Sequence, residues 1–187
     1  MKLLFSLALV AVLLIPVANA QYRQNDELHA NHGSFDDDRK SPNRSVETEL
    51  GTNAVTVEWS APSVRDRKIF GMLIPSEKVW RTGANEATVI HFDEDVTVEG
   101  QKLAAGSYAL FSIGSSDSFT FIFNSVSQTW GAFSYDEEND VLRVSVDTAT
   151  GDHQEELRFS FSDETDSSVT LTLSWGQTKA SMSLSTD

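Results

Sequence analysis

From Ala54 onward apolar and polar residues alternate through a series of short runs. In "AVTVEWS", Val55, Val57 and Trp59 fall on one side of an extended segment, with Thr56, Glu58 and Ser60 on the other. "SFTFIFN" aligns Phe119, Phe121 and Phe123, and "DVLRVSVD" aligns Leu142, Val144 and Val146. "ELRFSFS" repeats the pattern with Leu157, Phe159 and Phe161. "VTLTLSW" and "KASMSLS" follow with Val169, Leu171, Leu173, Trp175, Ala180, Met182 and Leu184. Side chains of an extended chain point alternately to opposite faces, so each run predicts a half-buried antiparallel strand. "TVIHF" and "GSYALFSI" are apolar on both faces and are expected nearer the middle of a sheet.

Turn-forming residues separate these runs at Glu99-Gly100, Ala105-Gly106, Gly114 to Asp117, Asp136 to Asp140, Gly151-Asp152 and Gly176-Gln177. "SWGQTKAS" reads as a tight hairpin joining the last two strands. About nine or ten strands with no long amphipathic helix predict an all-β fold, a single-domain antiparallel β-sandwich of two sheets spanning residues 51–187.

The chain ahead of this region has a different character. Lys2, the apolar run Leu3 to Val17 and the small-x-small end Ala18-Asn19-Ala20 predict a cleaved signal peptide over residues 1–20. Residues 21–50 lack a usable period and are rich in Asn, Asp and Ser, which predicts a flexible polar tail. The expected location is therefore outside the cytoplasm, periplasmic or extracellular, with no transmembrane segment in the mature chain. The sequence has no Cys, so stability falls to the core without disulfides. Acidic residues number 28 against 14 basic, a formal net charge of −14, which disfavours nucleic acid as a partner.

Motifs that would announce a reaction are few. The chain has no G-x-S-x-G, phosphate-cradling Gly loop or H-E-x-x-H. His29 and His32 with Asp26 and Asp36 to Asp38 offer metal-ligand types at loose spacing, and read as solvated tail. Asp136, Glu138 and Asp140 alternate as in a calcium loop, but Val141 occupies the position of the required Gly, so a polar hairpin tip is expected. No metal or other cofactor is expected. "NRS" at Asn43 fits a glycosylation acceptor.

The long connection "SAPSVRDRKIFGMLIPSEKVWRTGANEATVIHF" is the densest in unusual residue types. Arg67 and Arg81 can fork onto a carboxylate, phosphate or pair of sugar hydroxyls, and Asn85 can donate and accept together. Trp80 and Trp130 offer flat faces for stacking. The same residues also have an architectural reading. Arg81 and Glu86 would form an internal ion pair, Asn85 would close a turn, Trp80 would enter the core, and Gly83 would supply a positive φ. His91, mid-strand among apolar neighbours, reads as a hydrogen-bonded core imidazole.

These segments carry a family resemblance. A strand ending in "WSAP" is followed by "RKIFGMLIP", "VWRTGANEAT", "LAAGSYALF" and "WGAFSYDEEND". In this order they resemble the bacterial family known as domain of unknown function 2911. The likeness is close over Val55 to Val146. Ala104 stands where that family usually has Pro, and Phe133 where it usually has Tyr. The resemblance implies an exported β-rich domain and carries over no catalytic residue. It places Arg67, Trp80, Arg81, Asn85, Glu86 and Trp130 on the matching motifs as ligand-binding candidates. The expected function is a non-catalytic binding module, with a polar pocket near the 61–86 connection and a small molecule, glycan or envelope protein as partner. The alternatives are a hydrolase of sugars or peptides acting through Glu86 or Asp93, and a structural protein of the cell envelope.

Overall fold

The structure is a computed structural model and describes residues 39–186. The expected signal peptide, most of the expected tail, and His29 and His32 lie outside the described residues. The fold is all-β and antiparallel, with one short 3-10 turn, η1 (Glu137–Asn139). Nine strands follow in chain order: β1 (Asn43–Leu50), β2 (Asn53–Ser60), β3 (Val89–Phe92), β4 (Val96–Val98), β5 (Gln101–Leu103), β6 (Gly106–Gly114), β7 (Ser118–Asn124), β8 (Asp140–Ser162) and β9 (Ser168–Ser185). Hydrogen bonding joins them in one sheet, in the order β1-β2-β3-β6-β7-β8-β9-β4-β5. No helix among the described residues is long and apolar enough to cross a membrane.

The inward faces are those the alternation predicts. Phe119, Phe121 and Phe123 are fully buried, and Leu142, Val144, Leu157, Phe159, Leu171, Leu173 and Met182 join them in one apolar cluster. Each such side chain contributes about 1.5–3 kcal/mol on leaving water. β3 and β6 lie in mid-sheet, which is why both of their faces are apolar. A smaller cluster of Ala87, Ala109, Phe111 and Ile122 is separate from the main core, with Tyr135 and Ala132 packed against it.

Three expectations need correction. The tail does not extend to Leu50, because Asn43–Leu50 forms β1 and pairs along its whole length with β2. Asn43 is half-buried, and its side-chain oxygen accepts from Ser60 Oγ at 2.8 Å, which ties down the residue offered as a glycan acceptor. The other two corrections concern turns that are not turns. Gly151-Asp152 lies inside β8 and Gly176-Gln177 inside β9, so neither closes a hairpin.

These glycines instead mark a shared irregularity. Pairing runs from Thr150↔Thr178 to Gln154↔Gly176 and then to Arg158↔Ser174, so β8 carries extra residues on each side of Gln154. Gly176 sits at φ +58°, and a Cβ there would meet Ile69 Cδ1 at 2.5 Å. Bulges of this kind bend a strand without ending it. Residues 155–157 find other partners: Val64 N–H donates to Glu155 O at 2.8 Å, and Leu157 N–H to Pro62 O at 2.9 Å. β8 thus pairs with β7 through Asp147, and with β9 from Thr148 onward. The later half comes back against β2, where Trp59 Nε1 donates to Leu157 O at 3.0 Å and meets the Phe159 ring at 5.3 Å.

Candidate functional site

The connection from β2 to β3 has no regular ladder, so its backbone groups must find partners one at a time. Trp80 exchanges two backbone hydrogen bonds of 2.8 Å with Ser112 in β6. Its ring is 4% exposed and stacks on Trp175, with centroids 5.8 Å apart and planes 9° from parallel. Trp80 is therefore core and offers no face to a ligand.

The following residues fold into a self-bonded corner. Thr82 donates to Ser112 Oγ at 2.9 Å, Thr88 Oγ1 donates to Thr82 O at 2.9 Å, and Ala84 N–H donates to Ser60 O at 3.0 Å. Positive φ angles fall on Thr82 (53°) and Asn85 (56°), not on Gly83 as the sequence suggests. Gly83 is needed for space, since a Cβ would lie 3.0 Å from Ser60 O and 3.1 Å from Thr88 Oγ1.

Glu86 is tied into a network of side chains. Oε1 accepts from Arg39 Nη2 at 2.8 Å, and Oε2 lies 3.1 Å from Ser60 Oγ. Asn43 Oδ1 accepts from Arg39 Nη1 at 3.2 Å and shares the single Ser60 hydroxyl proton with Glu86. Burial works to raise the Glu86 carboxyl, but the hydrogen bond and charge of Arg39 and the Ser60 hydroxyl outweigh it. The group is held below the usual carboxylate range. The partner of Glu86 is thus Arg39, not Arg81. Arg81 feels Glu86 only as a nearby charge, and burial lowers its pKa. Its Nε is buried without a hydrogen-bond partner among the described residues.

Arg67 lies apart from this corner. It is exposed, and its guanidinium donates to Ser63 O at 2.7 Å and Val64 O at 3.1 Å, closing its own turn. Asn85 donates to Ser41 O at 3.3 Å and accepts the Gly131 N–H through its backbone carbonyl at 3.0 Å. Glu86 forms a backbone bridge with Trp130, and Ala87 N–H donates to Thr129 O at 3.0 Å. Of the six sequence candidates, Asn85, Glu86 and Trp130 therefore meet, with Arg81 close by, while Arg67 and Trp80 do not join them.

The segment bearing Trp130 is itself anchored. Asn124 Nδ2 donates to Asp136 O at 3.0 Å and Asp140 Oδ1 at 2.8 Å, and Thr129 Oγ1 lies 2.7 Å from Ser134 Oγ. Tyr135 donates to Asp140 Oδ2 at 2.6 Å and accepts from Arg143 Nη2 at 2.7 Å, and its ring meets Phe111 edge-on at 5.1 Å. Burial and the Asp140 carboxylate push the Tyr135 phenol up to about 12, against the opposing pull of Arg143. Asp136 caps η1 by accepting the Glu138 N–H at 3.0 Å, so Asp136 and Asp140 of the apparent calcium loop are engaged within the turn segment. Among the described residues no group of three or more His, Asp or Glu is placed to hold a metal.

On this fixed frame Trp130 is 54% exposed and Phe133 90% exposed. The other three Trp are each at most 6% exposed. Phe133 was visible in the sequence only as a departure from the family's pattern. Arg39 lay in a segment read as tail, which hid the partner of Glu86.

His91 is 4% exposed and bridges Ser107 Oγ, 2.8 Å from Nδ1, and Asp93 Oδ1, 2.9 Å from Nε2. Hydroxyl, imidazole and carboxylate are thus in line, as in a hydrolytic triad. His91 and Ser107 are directly paired across β3 and β6. The arrangement supplies a polar link between the two strands.

The architecture defines an all-β antiparallel domain with an aromatic corner on a hydrogen-bonded frame. The model of a family described as a protein of unknown function, DUF2911, matches residues 41–184, and the chain belongs to that family. No curated protein and no solved structure matches it.

Proposed function

We propose that this chain is an exported, non-catalytic binding module whose contact surface is the corner where Asn85 to Ala87 meet Thr129 to Phe133. The observation that carries the reading is the exposure of Trp130 and Phe133 on a segment bridged by backbone hydrogen bonds to Asn85 and Ala87. Large aromatic faces held in water on an ordered frame favour a partner that covers them. A neutral sugar ring suits Trp130, since the acidic body repels anions and the Thr129 and Ser134 hydroxyls rim the platform. Export rests on the leader-like pattern of residues 1–20. We read the fold as two layers, with β8 carrying the sheet from one to the other. The main apolar cluster, which draws on β2, β7, β8 and β9, and the contact of Trp59 with Phe159 support this.

The hydrolase alternative is weaker because its carboxylates are already occupied. Glu86 is ionised between Arg39 and Ser60, and Asp93 bonds His91. A second reading has one observation in its favour. Val126 and Val141, 48% and 52% exposed, flank the Trp130 segment in sequence and add apolar surface beyond what one sugar covers, which suits an envelope protein.

Trp130 is a built-in reporter, since the other three Trp are buried. Titration with neutral oligosaccharides should shift its fluorescence to the blue and saturate, and Trp130→Phe should lose the shift while remaining folded. If no oligosaccharide moves the emission, the glycan reading fails. A shift that persists in Trp130→Phe would place the contact elsewhere.

A further inference from the structure

We infer that the cleft between β1 and the later half of β8 is a second binding site, for a small ligand carrying a carboxylate on a hydroxyl-rich body, the chemistry of an acid sugar. The cleft is open to solvent, has a volume of about 340 Å³, and lies between Arg44, Ser45 and Val46 on one side and Gln154, Glu156 and Arg158 on the other. That volume falls at the lower end of the range for small-molecule sites.

Its charge runs against the rest of the molecule. In a chain of net charge −14, two guanidinium groups line one concavity, with Glu156 as the acid among the lining residues. Arg44 is oriented by that acid, with Nε 2.9 Å from Glu156 Oε1, and Nη1 donates to Asn43 O at 3.1 Å. Arg158 is exposed and has no side-chain partner among the described residues. The cleft therefore carries one positive charge in excess, on a planar fork suited to a carboxylate. Glu156 keeps acceptor capacity for hydroxyl groups, and Ser45 and Gln154 add short polar groups. Val46, half-buried, adds carbon surface beside these groups, over a floor closed by the buried Trp59, Leu157 and Phe159.

The backbone supports the same assignment. Arg158 and Gln154 stand at the two register breaks between β8 and β9, and residues 155–157 leave that ladder to bond Pro62 and Val64. Such bulges re-aim side chains, and here they turn the 154–158 segment toward β1. The cleft is built from residues of β1, β2 and β8, and the aromatic corner from Asn85 to Ala87 and Thr129 to Phe133, so the two sites use different side chains.

The test is amide chemical-shift perturbation on the folded protein titrated with D-glucuronate, D-glucose and acetate. Glucuronate should saturate, with shifts concentrated at residues 44–46 and 154–159. Glucose and acetate should each bind at least about tenfold more weakly, the scale of one charge-assisted contact pair. Arg158→Ala changes an exposed side chain, so it should leave the fold intact and weaken glucuronate by at least about tenfold. Equal binding of acetate would mean that only charge is read, and equal binding of glucose that the carboxylate is not read. Either result overturns the assignment, as does unchanged affinity in Arg158→Ala or the absence of localised shifts with glucuronate.

Discussion

Replacing Glu86 by Ala tests whether the densest motif of the sequence is architecture. The carboxylate accepts from Arg39 at 2.8 Å and lies 3.1 Å from Ser60 Oγ, and the ion pair is largely withdrawn from water, with side-chain exposures of 20% and 14%. A hydrogen bond to a charged group contributes about 1.5–3 kcal/mol, and stranding a mostly desolvated Arg39 adds to the loss. Ser60 retains Asn43 as an acceptor, which limits the damage on that side. The expected cost is about 2–4 kcal/mol, measured by urea unfolding followed through the buried Trp residues, with an unchanged m-value. In a double-mutant cycle with Arg39→Ala the coupling should be about 1–2 kcal/mol. The pH dependence has a definite sign. The folded carboxyl titrates below its unfolded value of about 4.3, so its contribution is complete above that value and lost as pH falls through the depressed folded one. The stability gap between wild type and Glu86→Gln should therefore be level from about pH 6 to 8 and narrow below about pH 4. A cost in Glu86→Ala under about 0.5 kcal/mol, the range of an ordinary surface change, would refute the architectural role.

Trp80→Ala should cost about 3–5 kcal/mol by opening a cavity against Trp175, while Trp130→Ala changes stability by less than about 1 kcal/mol. Comparable unfolding midpoints for the two variants would contradict the division between core and surface tryptophan. Tyr135→Phe should remove a tyrosinate titration centred at about 12 from the ultraviolet absorbance of the folded protein. Because the folded phenol lies above its unfolded value of about 10, its contribution to stability is full below that pH and lost on the way to about 12. A tyrosinate curve unchanged by the substitution would count against the bridge between Asp140 and Arg143.

The inward faces were legible because a half-buried strand imposes a period of two, and Phe121, Leu142 and Leu171 are all buried as that period requires. β1 was not legible. As an edge strand it buries only Thr48 and Leu50, so "NRSVETEL" shows no usable alternation. Gly151-Asp152 and Gly176-Gln177 were misread because bulges and hairpins draw on the same residue types. Which use is made depends on the strand opposite, and a local pattern does not contain that strand. Arg39 and Glu86 lie 47 residues apart, so no spacing rule links them.

The corner at residues 80–88 shows why dense chemistry in a sequence need not mark a reaction or a ligand. A connection without a ladder leaves its donors and acceptors unpaired, and each must be satisfied by a particular side chain or a particular turn. Thr82 and Thr88 meet that demand within the corner, and Gly83 allows the close approach to Ser60, while Asn85 and Glu86 tie the corner to Ser41, Arg39 and Ser60. The residues left facing outward are set by no such demand. Trp130 and Phe133 sit exposed in a turn segment, and Arg158 is exposed beside a register break of β8. Packing would be served as well by a small polar residue at each of these positions, whereas the corner would lose buried hydrogen bonds. The residues that look most unusual in the sequence therefore report internal hydrogen bonding, and the search for partners belongs at the exposed aromatics and at Arg158.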